Sequence, residues 1–164
     1  MAVKGYKFST VDGQRIGGRA IGFLEEILDA EKGTLLLGAK AKFDSLPLPK
    51  ERDVRKRFDL WLDYGRNDNW FHGWPNDVPV KECFTFRWEE KGRKCHRLYG
   101  FLCNPQPKTN PSRRICVLAY HDIKNDWNTD RSILIDLMSL RASSVVRAAI
   151  AFVFPDEPVK GQIQ

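Results

Sequence analysis

Three short runs of alternating polarity, punctuated by turn residues, constrain this chain more than anything else in it. From Cys83 to Glu89, Phe84, Phe86 and Trp88 fall on one face, with Cys83, Thr85 and Arg87 on the other. From Lys94 to Cys103, Arg97, Tyr99, Phe101 and Cys103 alternate with His96, Leu98, Gly100 and Leu102. A third run extends from Ile115 to His121. A period of two places successive side chains on opposite faces, which is the signature of a strand. Lys91-Gly92 predicts a tight hairpin turn, and the Pro/Asn stretch 104–111 a longer connection. Joined in this order, the three runs predict an antiparallel meander.

The rest of the pattern is helical in period. A weak alternation at Tyr6–Ser9 suits an edge strand. Ala20, Phe23, Leu24, Ile27 and Leu28 then recur at i, i+3, i+4, i+7 and i+8, which predicts a helix with its apolar stripe on one side. Gly33 sits where a C-terminal glycine cap belongs. Leu36, Ala39, Phe43 and Leu46 predict a second helix, ended by Pro47 and Pro49. A third, from Glu51 to about Asp63, carries Val54, Phe58, Trp61 and Leu62 on one side. Its first half is dense in charge (Lys50, Arg52, Arg55, Lys56, Arg57), either a solvated face or a phosphate-facing patch. Residues 64–80 read as a loop with interleaved aromatics, which fold over a core or stack on bases. Ile133, Leu134, Leu137 and Met138 predict a C-terminal helix, and Val145, Val146, Ala149 and Ile150 a continuation that Pro155 ends. The expected fold is α+β: an N-terminal helical hairpin packed on one face of a small antiparallel sheet of three or four strands, then a C-terminal helix or helices. One domain spans 1–154, and a loose tail 155–164.

At 164 residues, Lys and Arg number 27 against 21 Asp and Glu, a formal charge of +6 that favours an anionic partner. No apolar run approaches the ~20 residues that span a bilayer, and the first residues lack a secretory pattern. The expectation is therefore a cytoplasmic chain with no membrane partner. Cys83, Cys95, Cys103 and Cys116 form no CxxC pair, so they read as reduced packing residues, and no metal or other cofactor is expected. Phosphate-loop, nucleophile-elbow, HExxH and dinucleotide signatures are missing.

What remains is basic residues and histidines on or beside the strands: Arg87, Lys91, Arg93, Lys94, His96, Arg97, Arg113, Arg114, His121 and Lys124. Cleaving RNA needs a group that takes the 2′-hydroxyl proton, cations that hold the phosphate, and an acid for the leaving oxygen. Histidine serves the first and third near neutral pH; Arg and Lys serve the second. A basic rim that merely binds anions or an acidic protein has the same composition.

The order of these elements resembles the RelE/ParE superfamily of bacterial toxins, especially its HigB-like and phage Gp49-like branch. RAIGFLEEILDAEKGTLLLGAKAKFDSL (19–46) is similar to that branch's opening helical hairpin. KECFTFRWEEKGRKCHRLYGFL (81–102) is similar to its β-hairpin, and RICVLAYHDIKND (114–126) to the strand and turn before its last helix. The resemblance implies a ribosome-dependent messenger-RNA endonuclease that needs no metal and is neutralised by an antitoxin protein. It places the catalytic group at Arg97, His121, Lys124 and Arg87, with Arg97 and Lys124 on phosphate and His121 as general acid or base. Lys91, Arg93, Lys94, His96, Arg113 and Arg114 would bind RNA. Structural alternatives stand beside these roles: an ion pair of Arg87 with Glu89 or Glu90, Arg97 capping the core edge, and His121 simply ending its strand. The functional alternative is a non-catalytic module on the same fold, directed at a gyrase-type protein or at nucleic acid. Here the double lysine of the third motif is only Lys124-Asn125.

Overall fold

The computed structural model describes residues 5–27, 34–35, 37–65, 71–73, 82–90, 94–124 and 131–157. In chain order these form β1 (Gly5–Thr10), β2 (Arg19–Ile27), β3 (Thr34–Leu35), α1 (Ala39–Asp44), α2 (Leu48–Tyr64) and β4 (Phe71–Gly73). They continue as β5 (Cys83–Glu90), β6 (Lys94–Cys103), β7 (Arg114–Lys124), α3 (Arg131–Ala142) and α4 (Ser144–Val153). The strands make one sheet in the order β1-β2-β7-β6-β5-β4, with β3 pairing β2. All neighbours are antiparallel except β2 and β7, which run parallel from Arg19↔Arg114 to Phe23↔Leu118.

The expected N-terminal helical hairpin is overturned. Residues 19–27 are a strand, and of the described residues among 34–46 only 39–44 are helical. The cause lies in burial on both sides. Ile21 and Phe23 pack against α1 and α2, while Ala20 and Leu24 pack against α3 and α4. A strand buried on both faces carries a nearly continuous apolar run, which a helical stripe can mimic over so short a stretch. The expected small antiparallel sheet with helices on one face is corrected with it. Among the described residues the sheet has seven strands, is mixed, and is covered on both faces.

Other expectations hold. The meander is β5, β6 and β7, and the C-terminal region is helical as α3 and α4. Helix α2 places Pro49 in its first turn and buries Val54, Phe58, Trp61 and Leu62. It ends on Gly65 at φ 77°, where a Cβ would come within 2.7 Å of the Arg19 guanidinium. Nη1 of Arg19 donates to the carbonyls of Leu62 and Asp63 at 3.2 Å each, so β2 itself caps the helix. Within the expected aromatic loop, residues 71–73 form β4; 66–70 and 74–81 lie outside the described residues, as do Gly33, the Lys91-Gly92 turn and 158–164.

One irregularity governs the site. Along β6 and β7 the pairing steps from Gly100↔Leu118 to Tyr99↔Tyr120, leaving Ala119 as an extra residue on β7. Such a bulge reverses which face each later side chain occupies. Without it His121 would stand opposite Arg97; with it His121 stands opposite Leu98, on the face that also holds His96 and Trp88.

Candidate active site

The β5–β6 hairpin register pairs Trp88 with His96 and Glu90 with Lys94. Trp88, Glu90 and His96 therefore share the sheet face on which α1 and α2 pack, and the bulge in β7 adds His121 diagonally to them. Glu90 Oε2 lies 3.1 Å from His96 Nε2, and His96 Nδ1 lies 2.9 Å from His121 Nε2. The two imidazoles are nearly coplanar, 13° apart, and Trp88 lies 15° from the plane of His96 with centroids 5.4 Å apart. The other Glu90 oxygen, Oε1, accepts from Trp88 Nε1 at 3.2 Å and faces Lys42 Nζ of α1 at 3.5 Å. Gly38, the N-cap of α1 at φ 96°, lies against the His121 backbone and bridges Tyr120, seating α1 beside the pair.

These contacts determine the proton positions. A carboxylate only accepts, so Nε2 of neutral His96 donates to Glu90. Nδ1 of His96 then accepts, and Nε2–H of His121 donates to it. Nδ1 of His121 is left as a lone pair with no partner among the described residues. Burial pushes His121 down to about 4, helped by His96 and Lys42 and opposed by Asp122 and Glu90. His96 is lowered too, chiefly by burial, with Glu90 opposing. At Glu90 burial acts upward, but the Trp88 hydrogen bond, His96 and Lys42 outweigh it and hold the carboxyl below its ordinary value. Near neutral pH the chain thus runs carboxylate, neutral imidazole, neutral imidazole. Its outermost atom is a half-buried, oriented base. Both nitrogens of His96 are engaged inside this chain, so the three residues do not converge as a ligand set for a metal.

The other residues singled out in the sequence fall elsewhere. Arg97 is buried on the opposite sheet face, its Nη1 donating to the Tyr99 hydroxyl at 3.3 Å. Arg87 and Asp122 flank it in register on β5 and β7. Arg87 and Arg97 are therefore brought together, but away from His121. Lys94 is exposed opposite Glu90. Arg114 pairs with Glu82 at 2.6 Å near the start of β7, seven residues and about 23 Å of strand from His121. Arg113 lies over the Phe154 ring at 5.1 Å. Lys124 pairs its backbone with Cys95, while its side chain, Lys91 and Arg93 lie outside the described residues.

Sequence reading missed Glu90, Trp88 and Lys42 as site members. For the first two the signal was partial: alternation puts Trp88 and Glu90 on one face of β5, but a two-residue turn at Lys91-Gly92 would set them against 95 and 93, and the observed pairs, 88 with 96 and 90 with 94, need the three residues 91–93 between the strands. Lys42 had none, because its approach depends on how α1 docks.

No protein-family model, curated protein or solved structure matches this chain. The likeness to RelE/ParE toxins therefore rests on the three strings alone, and the first of them folds as β2, β3 and α1.

Among the described residues no helix is long and apolar enough to cross a membrane.

Proposed function

We propose that this protein is an endoribonuclease that cleaves RNA by acid–base chemistry, with His121 as the proton-transfer group and Glu90–His96 as its positioning pair. The hydrogen-bonded chain Glu90–His96–His121 carries this reading. Nδ1 of His121 takes the proton of a ribose 2′-hydroxyl. The 2′ oxygen bonds to the adjacent phosphorus as the bond to the 5′ oxygen breaks, and His121 passes the proton to that departing oxygen. The imidazolium formed in between is stabilised by His96, whose far nitrogen is held by a carboxylate. Lys42 is the cation of α1 closest to the chain and Lys94 its neighbour on β6; both face the growing phosphate charge better than Arg97 does. The toxin setting, with messenger RNA on the ribosome as substrate and an antitoxin as neutralising partner, is supported by the resemblance of residues 81–102 and 114–126.

The test is inducible expression in bacteria of the wild type beside His121→Ala and Glu90→Gln, with RNA ends mapped after induction. The expected result is growth arrest with new messenger-RNA ends, abolished by His121→Ala and reduced by Glu90→Gln. New ends persisting in a folded His121→Ala protein would overturn the assignment. The buried, Trp88-stacked His96 also suits a purely structural role, in which the variants lower stability and the wild type makes no new ends.

A further inference from the structure

We propose that the outer face of the first two turns of α2 is a binding groove for the phosphodiester backbone of RNA, separate from the cleavage site; it rests on the RNA reading above. Among the described residues the groove is lined by Pro49, Lys50, Arg52, Asp53 and Lys56 and holds about 400 Å³. Its charge is unbalanced in a specific way. Asp53, its acidic member, already faces Arg57 Nη1 at 3.0 Å and Lys50 Nζ at 3.8 Å. Glu51 on the same helix is taken by Arg55 at 3.3 Å. Arg52 and Lys56, one turn apart and exposed, have no hydrogen-bond or ion-pair partner among the described residues. Two neighbouring cations left unpaired beside a concave surface suit successive phosphates of one strand better than a single small anion.

The groove also has a defined relation to the site. Lys50 Nζ donates to the Glu89 carbonyl at 3.0 Å and Arg57 Nε to the Arg87 carbonyl at 2.9 Å. These tie α2 to the outer edge of β5 beyond its pairing with β4, next to Glu90. A strand lying in the groove is thereby led toward the end of β5 that holds Glu90, beside the histidines of β6 and β7.

The experiment measures binding of a short fluorescein-labelled 2′-O-methyl oligouridylate, which lacks the hydroxyl that cleavage needs, by anisotropy across salt concentrations. Proteins compared are the wild type, Arg52→Ala/Lys56→Ala and His121→Ala, each checked for folding by thermal melting. Losing two phosphate contacts to a single strand reduces the slope of log affinity against log salt by about 1.4. From about 50 to about 200 mM salt the wild type should then lose about seven-fold more affinity than the double variant. His121→Ala, which removes no cation at neutral pH, should keep the wild-type salt slope whatever it does to affinity at one salt concentration. A double variant with unchanged slope, or a wild type that does not bind at low salt, would overturn the groove. So would a double variant that loses binding to polyglutamate but keeps its RNA slope, since the face would then suit an acidic protein. Salt-dependent binding through Arg52 and Lys56 with no cleavage of natural RNA would leave the groove standing and remove the endoribonuclease reading instead.

Discussion

At His121 a single ring joins the fold's burial to its chemistry. The imidazole is half-buried, hydrogen-bonded to a second imidazole, and held at about 4 by burial first and by His96 and Lys42 next. The free protein therefore keeps its base unprotonated well below pH 6. The acid limb of kcat/KM is expected near pH 4, while that of kcat moves upward, because bound phosphate places a negative charge beside the ring. A pH–rate series on a defined RNA checks this; both limbs at 6.5 would mean that His121 titrates as a free imidazole. The same burial has a thermodynamic consequence. Below pH 6.5 the unfolded chain takes up a proton at His121 that the folded chain refuses until about pH 4. Stability contributed by this group is thus complete above pH 6.5 and falls as pH drops toward 4, by at most about 1.4 kcal/mol per unit. The lowered His96 acts in the same direction, and the lowered Glu90 adds a further loss at more acid pH. Urea unfolding at pH 5 and pH 7 is expected to show a smaller difference for His121→Asn than for the wild type.

Between elements, the β6–β7 bulge decides which residues can meet. Gly100 sits at the step in register, and a Cβ there would lie 2.2 Å from the Val117 carbonyl oxygen. That neighbour is backbone of a central strand with helices on both sides, so it has little room to yield. Gly100→Ala is expected to cost about 1–3 kcal/mol or more and to disturb cleavage beyond what the stability loss explains, since the register that brings His121 to His96 passes through this position. Urea midpoints and cleavage rates measured at a temperature where the variant is folded separate the two effects. Helix α2 serves its neighbours in a different way. Its buried face stacks Phe58 on Phe43 at 5.6 Å and sets it edge-to-face with Phe86 at 4.9 Å, while Arg57 and Lys50 cover the carbonyls of a strand edge. The charge run in this helix is therefore two populations: residues engaged with the sheet or with acidic partners, and the outward pair Arg52 and Lys56.

Across the whole molecule, one sheet sandwiched between two helical layers leaves its cysteines buried or half-buried and unbridged. Burial pushes the thiols of Cys83 and Cys103 up to about 11 and that of Cys116 well above its ordinary value. A thiol at about 11 is only about 0.1% thiolate at pH 8, and the thiolate is the reactive form. Iodoacetamide at pH 8 is therefore expected to leave these three unmodified in the folded protein and to label all four cysteines in denaturant, as read by mass spectrometry. Rapid labelling of Cys116 without denaturant would contradict the two-sided burial of β7.

Local features were legible in the order of residues alone: the β5–β6 hairpin, the strand after it, the amphipathic α2, the helical C-terminal region and the surplus of positive charge. Each follows from spacing within a few residues, which local backbone geometry enforces. Residues 19–27 lay beyond that reach. Their pattern fits one face of a helix or both faces of a strand, and only the packing of α1 and α2 on one side and α3 and α4 on the other decides between them. The site divides in the same way. His96 and His121 were visible as candidates, but strict alternation sets His121 with Arg97 on one face. One extra residue in β7 reverses that pairing, because register belongs to how two strands pair and not to the alternation within either one. The resulting step puts His121 beside His96 and Glu90, and leaves Arg97 buried on the far side of the sheet.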